Sequence, residues 1–149
     1  MSIKIEKKEA FTVIGMKVRT NMKNVMKNCS IIWEKMMPLF KKIPERIPGY
    51  GISYDCSPKC EEFTYMGAMP LQDDTPKGCE KLEVPSATYA VFEHKGKAES
   101  ISNTYKKAMK EIQEEGLEFD TTKMNIEYYP PEFRNQDDSV CEIWLAVKE

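Results

Sequence analysis

The chain predicts an α+β fold made of two βαββ units, joined as one pseudo-two-fold antiparallel sheet with two helices on one face and a ligand cleft on the other. Three observations predict it. Hydrophobic periodicity switches between two and 3.6 residues in the order strand, helix, strand, strand, and this order occurs twice. A polar stretch containing proline and glycine, residues 72–83, separates the two occurrences. The whole chain, 149 residues with 41% hydrophobic and 31% charged content, suits a single domain with halves at about 1–71 and 84–149.

The elements follow in order. Residues 10–20 (AFTVIGMKVRT) are apolar and β-branched, as a strand requires. Residues 28–43 carry Ile32, Trp33, Met36, Met37, Phe40 and Ile43 at helical spacing, with Asn28 or Ser30 as the N-cap. Pro38 is expected to kink or divide this helix, because a proline nitrogen has no hydrogen to donate to the preceding turn. Pro44, Pro48 and Gly49 end it. Residues 50–55 (YGISYD) and 62–71 (EFTYMGAMPL) predict two strands. After the linker, residues 88–94 (TYAVFEH) read as a strand and 98–115 as a helix presenting Ala98, Ile101, Tyr105, Ala108, Met109 and Ile112 on one face, stopped by Gly116. Residues 124–129 (MNIEYY) and 140–147 (VCEIWLAV) supply the last two strands. Sliding residues 63–68 onto 140–145 sets Tyr65 against Glu142.

The final strand draws attention to a site. Side chains alternate along a strand, so Glu142, Trp144 and Ala146 share one face while Cys141, Ile143, Leu145 and Val147 form an apolar core face. A carboxylate beside an indole is the pairing that a pocket for a cationic, polarisable molecule needs. The plain alternative is an edge strand whose polar face meets water. Tyr65 and Tyr89 occupy strand positions from which a phenol reaches the same cleft, and Trp33 on the first helix either borders it or belongs to the core.

Other chemistries are disfavoured. A net charge of −2 with both signs interspersed gives no basic stripe for nucleic acid, and no apolar run is long enough to span a membrane. The amino terminus lacks the apolar segment of a secretory signal, which places the chain in the cytoplasm. Five cysteines, an odd number, point to reduced thiols. Cys56 and Cys60 are half of a metal site without a second half, since His94 is the sole histidine. No cofactor or metal is expected, and no phosphate-cradling glycine loop or nucleophile triad with convincing spacing speaks for catalysis.

Residues 78–96 (GCEKLEVPSATYAVFEHKG) resemble the central signature of the GyrI-like small-molecule-binding domains, also known as the effector-binding domain of AraC-type and MerR-type transcription activators. Ile32, Trp33 and Glu34, residues 50–55, residues 62–65 (EFTY) and residues 141–147 (CEIWLAV) are similar to its other recurrent segments, in the right order, so the resemblance covers nearly the whole chain. It implies a cleft between the two halves that binds lipophilic, often cationic compounds. It also implies an acid of the final strand at the base of that cleft, a place matched by Glu142, and a helix tryptophan at its border, matched by Trp33. Ala146 departs from the proline usual in the family. Ligand-binding residues are therefore expected to be Glu142, Trp144, Trp33, Tyr65 and Tyr89, in a stand-alone sensor or sequestration protein without its own DNA-binding domain. Two alternatives accompany this reading: a hydrolase of small electrophiles using Glu142 as acid or base, and an inhibitory module that binds a protein partner.

Overall fold

The structure is a computed structural model that describes residues 4–43, 47–59, 61–95, 101–130 and 140–148, with the backbone alone at 101, 102 and 140. Among the described residues it is an α+β protein of eight antiparallel strands and two helices. The elements are β1 (Lys4–Lys8), β2 (Phe11–Asn21), α1 (Val25–Lys41), β3 (Gly49–Tyr54), β4 (Glu62–Pro70), β5 (Glu80–Val84), β6 (Ala87–Lys95), α2 (Ile101–Glu114), β7 (Asn125–Tyr129) and β8 (Val140–Val147).

One sheet holds all the strands in the order β1-β6-β8-β7-β3-β4-β2-β5. Outward from its centre, β7, β8 and β6 follow one another on one side and β3, β4 and β2 on the other. The two strands that sequence periodicity does not reveal sit at the edges. β1 pairs with β6, in the other half of the chain, and β5 pairs with β2. Residues 80–83 of the expected linker are thus edge strand, where Leu82 and Val84 alternate inward. β1 has little apolar content and blunts its edge with charge, since Glu6 lies 3.0 Å from Lys4 and 3.2 Å from Lys8.

Helix α1 begins earlier than its cap signals suggest, with Asn24 at the N-cap and no side-chain capping bond. Asn28 is instead spent on tertiary structure, its amide donating to Thr20 Oγ1 at 2.7 Å, and Ser30 bonds back to Met26 O within the helix. The helix also runs through Pro38. An interior proline costs about 3 kcal/mol, whereas fully burying Ile32, Met36 and Phe40 recovers about 1.5–3 kcal/mol each, so packing outweighs the local break. Helix α2 closes as expected. Gly116 takes φ +72°, its N–H donates to Gln113 O and that of Leu117 to Ile112 O, a Schellman end that needs a residue tolerant of positive φ. The expected start of this helix at 98–100 lies outside the described residues.

The helices lie on the same face. α1 packs on β2 and β4 and α2 on β6, the outer strands of each half, which leaves a trough above the central pair β3 and β7. Beneath α1 lie Ile14, Tyr65 and Met69, and beneath α2 lie Ala90, Phe92, Cys141, Ile143, Leu145 and Val147. The opposite face carries a separate cluster that includes Val13, Ile52, Met66, Tyr89, Ile126 and Trp144. The cleft is expected on this second face, where these side chains pack together.

The cysteines divide. Cys29, Cys79 and Cys141 are free thiols, but Cys56 is disulfide-bonded, a correction to the expectation of reduced thiols throughout. Cys60, the other half of the suggested metal spacing, lies outside the described residues. No metal-binding cluster occurs among the described residues, and none of their helices is long and apolar enough to cross a membrane.

Candidate functional site

Two of the five expected residues stand on the wrong side of the sheet from the other three. Glu142, Trp144 and Tyr89 face away from the helices, whereas Tyr65 and Trp33 lie on the helix side, so they do not line one cleft. Parity decides this. On β4, Tyr65 alternates with Thr64 and Met66, and Met66 belongs to the helix-free cluster with Trp144.

On the helix-free face the indole of Trp144 is fully engaged. Its Nε1 donates to Glu142 Oε1 at 2.9 Å, Tyr128 stacks on it at 5.5 Å and 16°, and the Lys8 ammonium sits 4.6 Å from its ring centroid. The position a cationic ligand would take over this ring is held by the protein's own lysine. Tyr89 is buried beside it, its rings 5.7 Å from Trp144, with a hydroxyl that has no hydrogen-bond partner.

The trough between the helices holds a different acid. Glu127 of β7 points to the helix side, opposite in parity to Ile126 and Tyr128. Its Oε1 accepts from the Tyr129 hydroxyl at 2.6 Å and its Oε2 from the Tyr105 hydroxyl of α2 at 2.8 Å. Trp33 of α1 stands edge-on to Tyr129, ring centroids 5.6 Å apart, and its Nε1 donates to Tyr65 Oη at 2.8 Å. Four aromatic residues from α1, α2, β4 and β7 thus surround one carboxylate.

Electrostatics single this carboxylate out. Burial raises the Glu127 carboxyl from its ordinary value, opposed by the hydroxyls of Tyr129 and Tyr105 and by the nearby His94. Glu127, Tyr129, Tyr105 and Trp33 are each half-buried as whole residues. Among the described residues no lysine or arginine pairs with it. Burial, reinforced by the Glu127 charge, pushes the phenols of Tyr65, Tyr105 and Tyr129 far up, which keeps them protonated as donors. The Cys29 and Cys141 thiols near the acid are pushed up to about 12, chiefly by burial, and are therefore poor nucleophiles. His94 is buried, with Nδ1 2.7 Å from Thr104 Oγ1 of α2.

Sequence reasoning missed Glu127, Tyr105 and Tyr129. A signal existed, because Glu127 and Tyr129 are two residues apart on a strand and so share a face, the same acid-beside-aromatic pattern that singled out Glu142 and Trp144.

The chain belongs to the GyrI-like family, whose small molecule binding domain matches residues 1–148. It is 28% identical to the transcriptional regulator BrlR of Pseudomonas aeruginosa over 154 aligned residues, which cover 99% of this chain and 55% of that protein. The chain therefore spans about half the length of that curated relative. In structure it resembles an integron cassette protein from the mobile metagenome of Vibrio cholerae, with TM-score 0.78, 20% identity, and 98% and 95% of the two chains covered. It also resembles SAV2435 bound to tetraphenylphosphonium, with TM-score 0.77, 15% identity, and 99% and 94% covered. These likenesses in structure establish the fold, and the family match establishes small-molecule binding.

Proposed function

We propose that the domain captures a lipophilic monocation in the trough between α1 and α2, its charge above Glu127 and its apolar surface against Trp33, Tyr105 and Tyr129, as a sensor or sequestering protein. One observation carries this reading: a carboxylate held in a desolvating aromatic surround, with no lysine or arginine paired to it among the described residues. A charge so placed is costly until a counter-ion arrives, and a cationic ligand supplies it. The relative bound to tetraphenylphosphonium supports the ligand class.

The hydrogen-bond pattern narrows that class. Both carboxylate oxygens already accept a phenol hydrogen, and the Trp33 N–H is spent on Tyr65. The trough therefore offers charge and aromatic surface more than free donors or acceptors. A permanent, delocalised cation without N–H groups fits it better than a primary ammonium, whose hydration would go unreplaced.

Calorimetric titration with tetraphenylphosphonium and with neutral triphenylphosphine oxide tests the reading. The cation is expected to bind at least tenfold more tightly, about 1.4 kcal/mol. Equal affinities would mean that the trough reads apolar shape and not charge.

A further inference from the structure

The central strand presents no bulk to the trough. On β3, Tyr50, Ile52 and Tyr54 belong with the cluster on the helix-free face, so Gly49, Gly51 and Ser53 face the helices. Gly51 lies at the middle of a cross-strand row, opposite Glu127 on one side and Gly67 on the other. Neither Gly51 nor Gly67 has a positive φ, a property confined to Gly78 and Gly116 among the described glycines, so backbone conformation does not demand glycine in this row. Glycine within a strand weakens it, which leaves space as the reason.

The space is occupied. A Cβ at Gly51 would lie 2.5 Å from Tyr65 Oη and 2.9 Å from Glu127 Oε1, inside the contact distance of both polar groups. A Cβ at Gly67 would lie 2.6 Å from Ile32 Cγ2, so that glycine admits α1 to the sheet. The roles differ: Gly67 seats a helix, and Gly51 seats the acid and the phenol that receives the Trp33 N–H.

We propose that Gly51 is the specificity-determining position of the trough: the side chain it lacks leaves the slot in which the Glu127 carboxylate and the Tyr65 hydroxyl are seated, and so sets how deeply a cation's charge can descend. This rests on the reading of Glu127 as the charge-binding group. A methyl at Gly51 lifts Glu127 toward the mouth of the trough and draws it from the Tyr129 and Tyr105 hydroxyls that favour its ionised form. Among the described residues, the titratable groups that interact electrostatically with Glu127 are Tyr129 on its own strand, Tyr105 on α2, Tyr65 on β4, Cys29 on α1, Cys141 on β8 and His94 on β6. The phenols and thiols among them are held protonated, so loss of the two phenol bonds raises the pH at which cation binding is half lost.

The test compares Gly51→Ala, Tyr65→Phe and the double variant by Tm and by tetraphenylphosphonium titration across pH. Gly51→Ala is expected to lower Tm, weaken binding about tenfold and move the pH midpoint upward. Tyr65→Phe removes the atom closest to the new methyl, so in that background Gly51→Ala is expected to restore or raise Tm while the pH midpoint stays high. Equal damage by Gly51→Ala in both backgrounds, including failure of both to fold, overturns the proposal, as does a folded Gly51→Ala with native affinity and pH midpoint. Glu127→Gln separates the levels: if it keeps full affinity the charge reading itself fails, and if it loses affinity while Gly51→Ala does not, Gly51 alone is misassigned.

Discussion

Glu127→Gln is expected to weaken tetraphenylphosphonium binding by about 30-fold or more, on the order of 2 kcal/mol, while leaving triphenylphosphine oxide within a factor of two or so. The substitution keeps size and shape. A phenol can accept as well as donate, so Tyr105 or Tyr129 can rotate its hydroxyl to receive the new amide hydrogen. What disappears is the charge, and charge acts strongly where aromatic walls exclude water. The same variant without ligand is expected to have a higher Tm at neutral pH, since it relieves an ionised carboxylate held in a desolvating site. Titration calorimetry and a melting curve on each protein check both parts.

Acid is expected to weaken cation binding, with affinity falling up to about tenfold per pH unit below the Glu127 midpoint until it levels at that of the Glu127→Gln variant. Burial raises the Glu127 carboxyl, so this loss begins at a higher pH than an ordinary surface carboxylate would give. The sign for stability runs the other way. A carboxyl whose folded value is raised binds more protons in the folded protein than in the unfolded chain, so its contribution is present below the unfolded value and lost as pH rises through the folded one. The Tm advantage of Glu127→Gln should therefore be largest at neutral pH and close as pH falls through that window. An advantage that widens in acid would mean that Glu127 stabilises the fold through its charge.

Much of the fold is legible in the sequence because its central strands and helices bury one face each. Residues 140–147 alternate so plainly that β8 has the expected bounds, and Gly116 marks its helix end through a positive φ. β1 and β5 are hidden for the opposite reason. They are held by backbone pairing at the sheet edges, where charged side chains such as Lys4, Glu6 and Lys8 leave no long apolar pattern. The site is less legible than the fold. Periodicity tells which residues of one strand share a face, as Glu142 and Trp144 do, but the face that the helices cover is settled by packing between strands far apart in sequence. Trp33 and Tyr65 do approach each other, and the acid they accompany is Glu127. Residues 127–129 carry the same pattern in shorter form, partly hidden because Tyr128 between them is also aromatic and points the other way.

A crystal structure of the domain with tetraphenylphosphonium tests the central claim most directly. The expected position of the phosphorus is above the Glu127 carboxylate between α1 and α2, with phenyl rings against Trp33, Tyr105 and Tyr129. A cation seated instead on the opposite face, against Glu142 and Trp144 with Lys8 displaced from the indole, would contradict it.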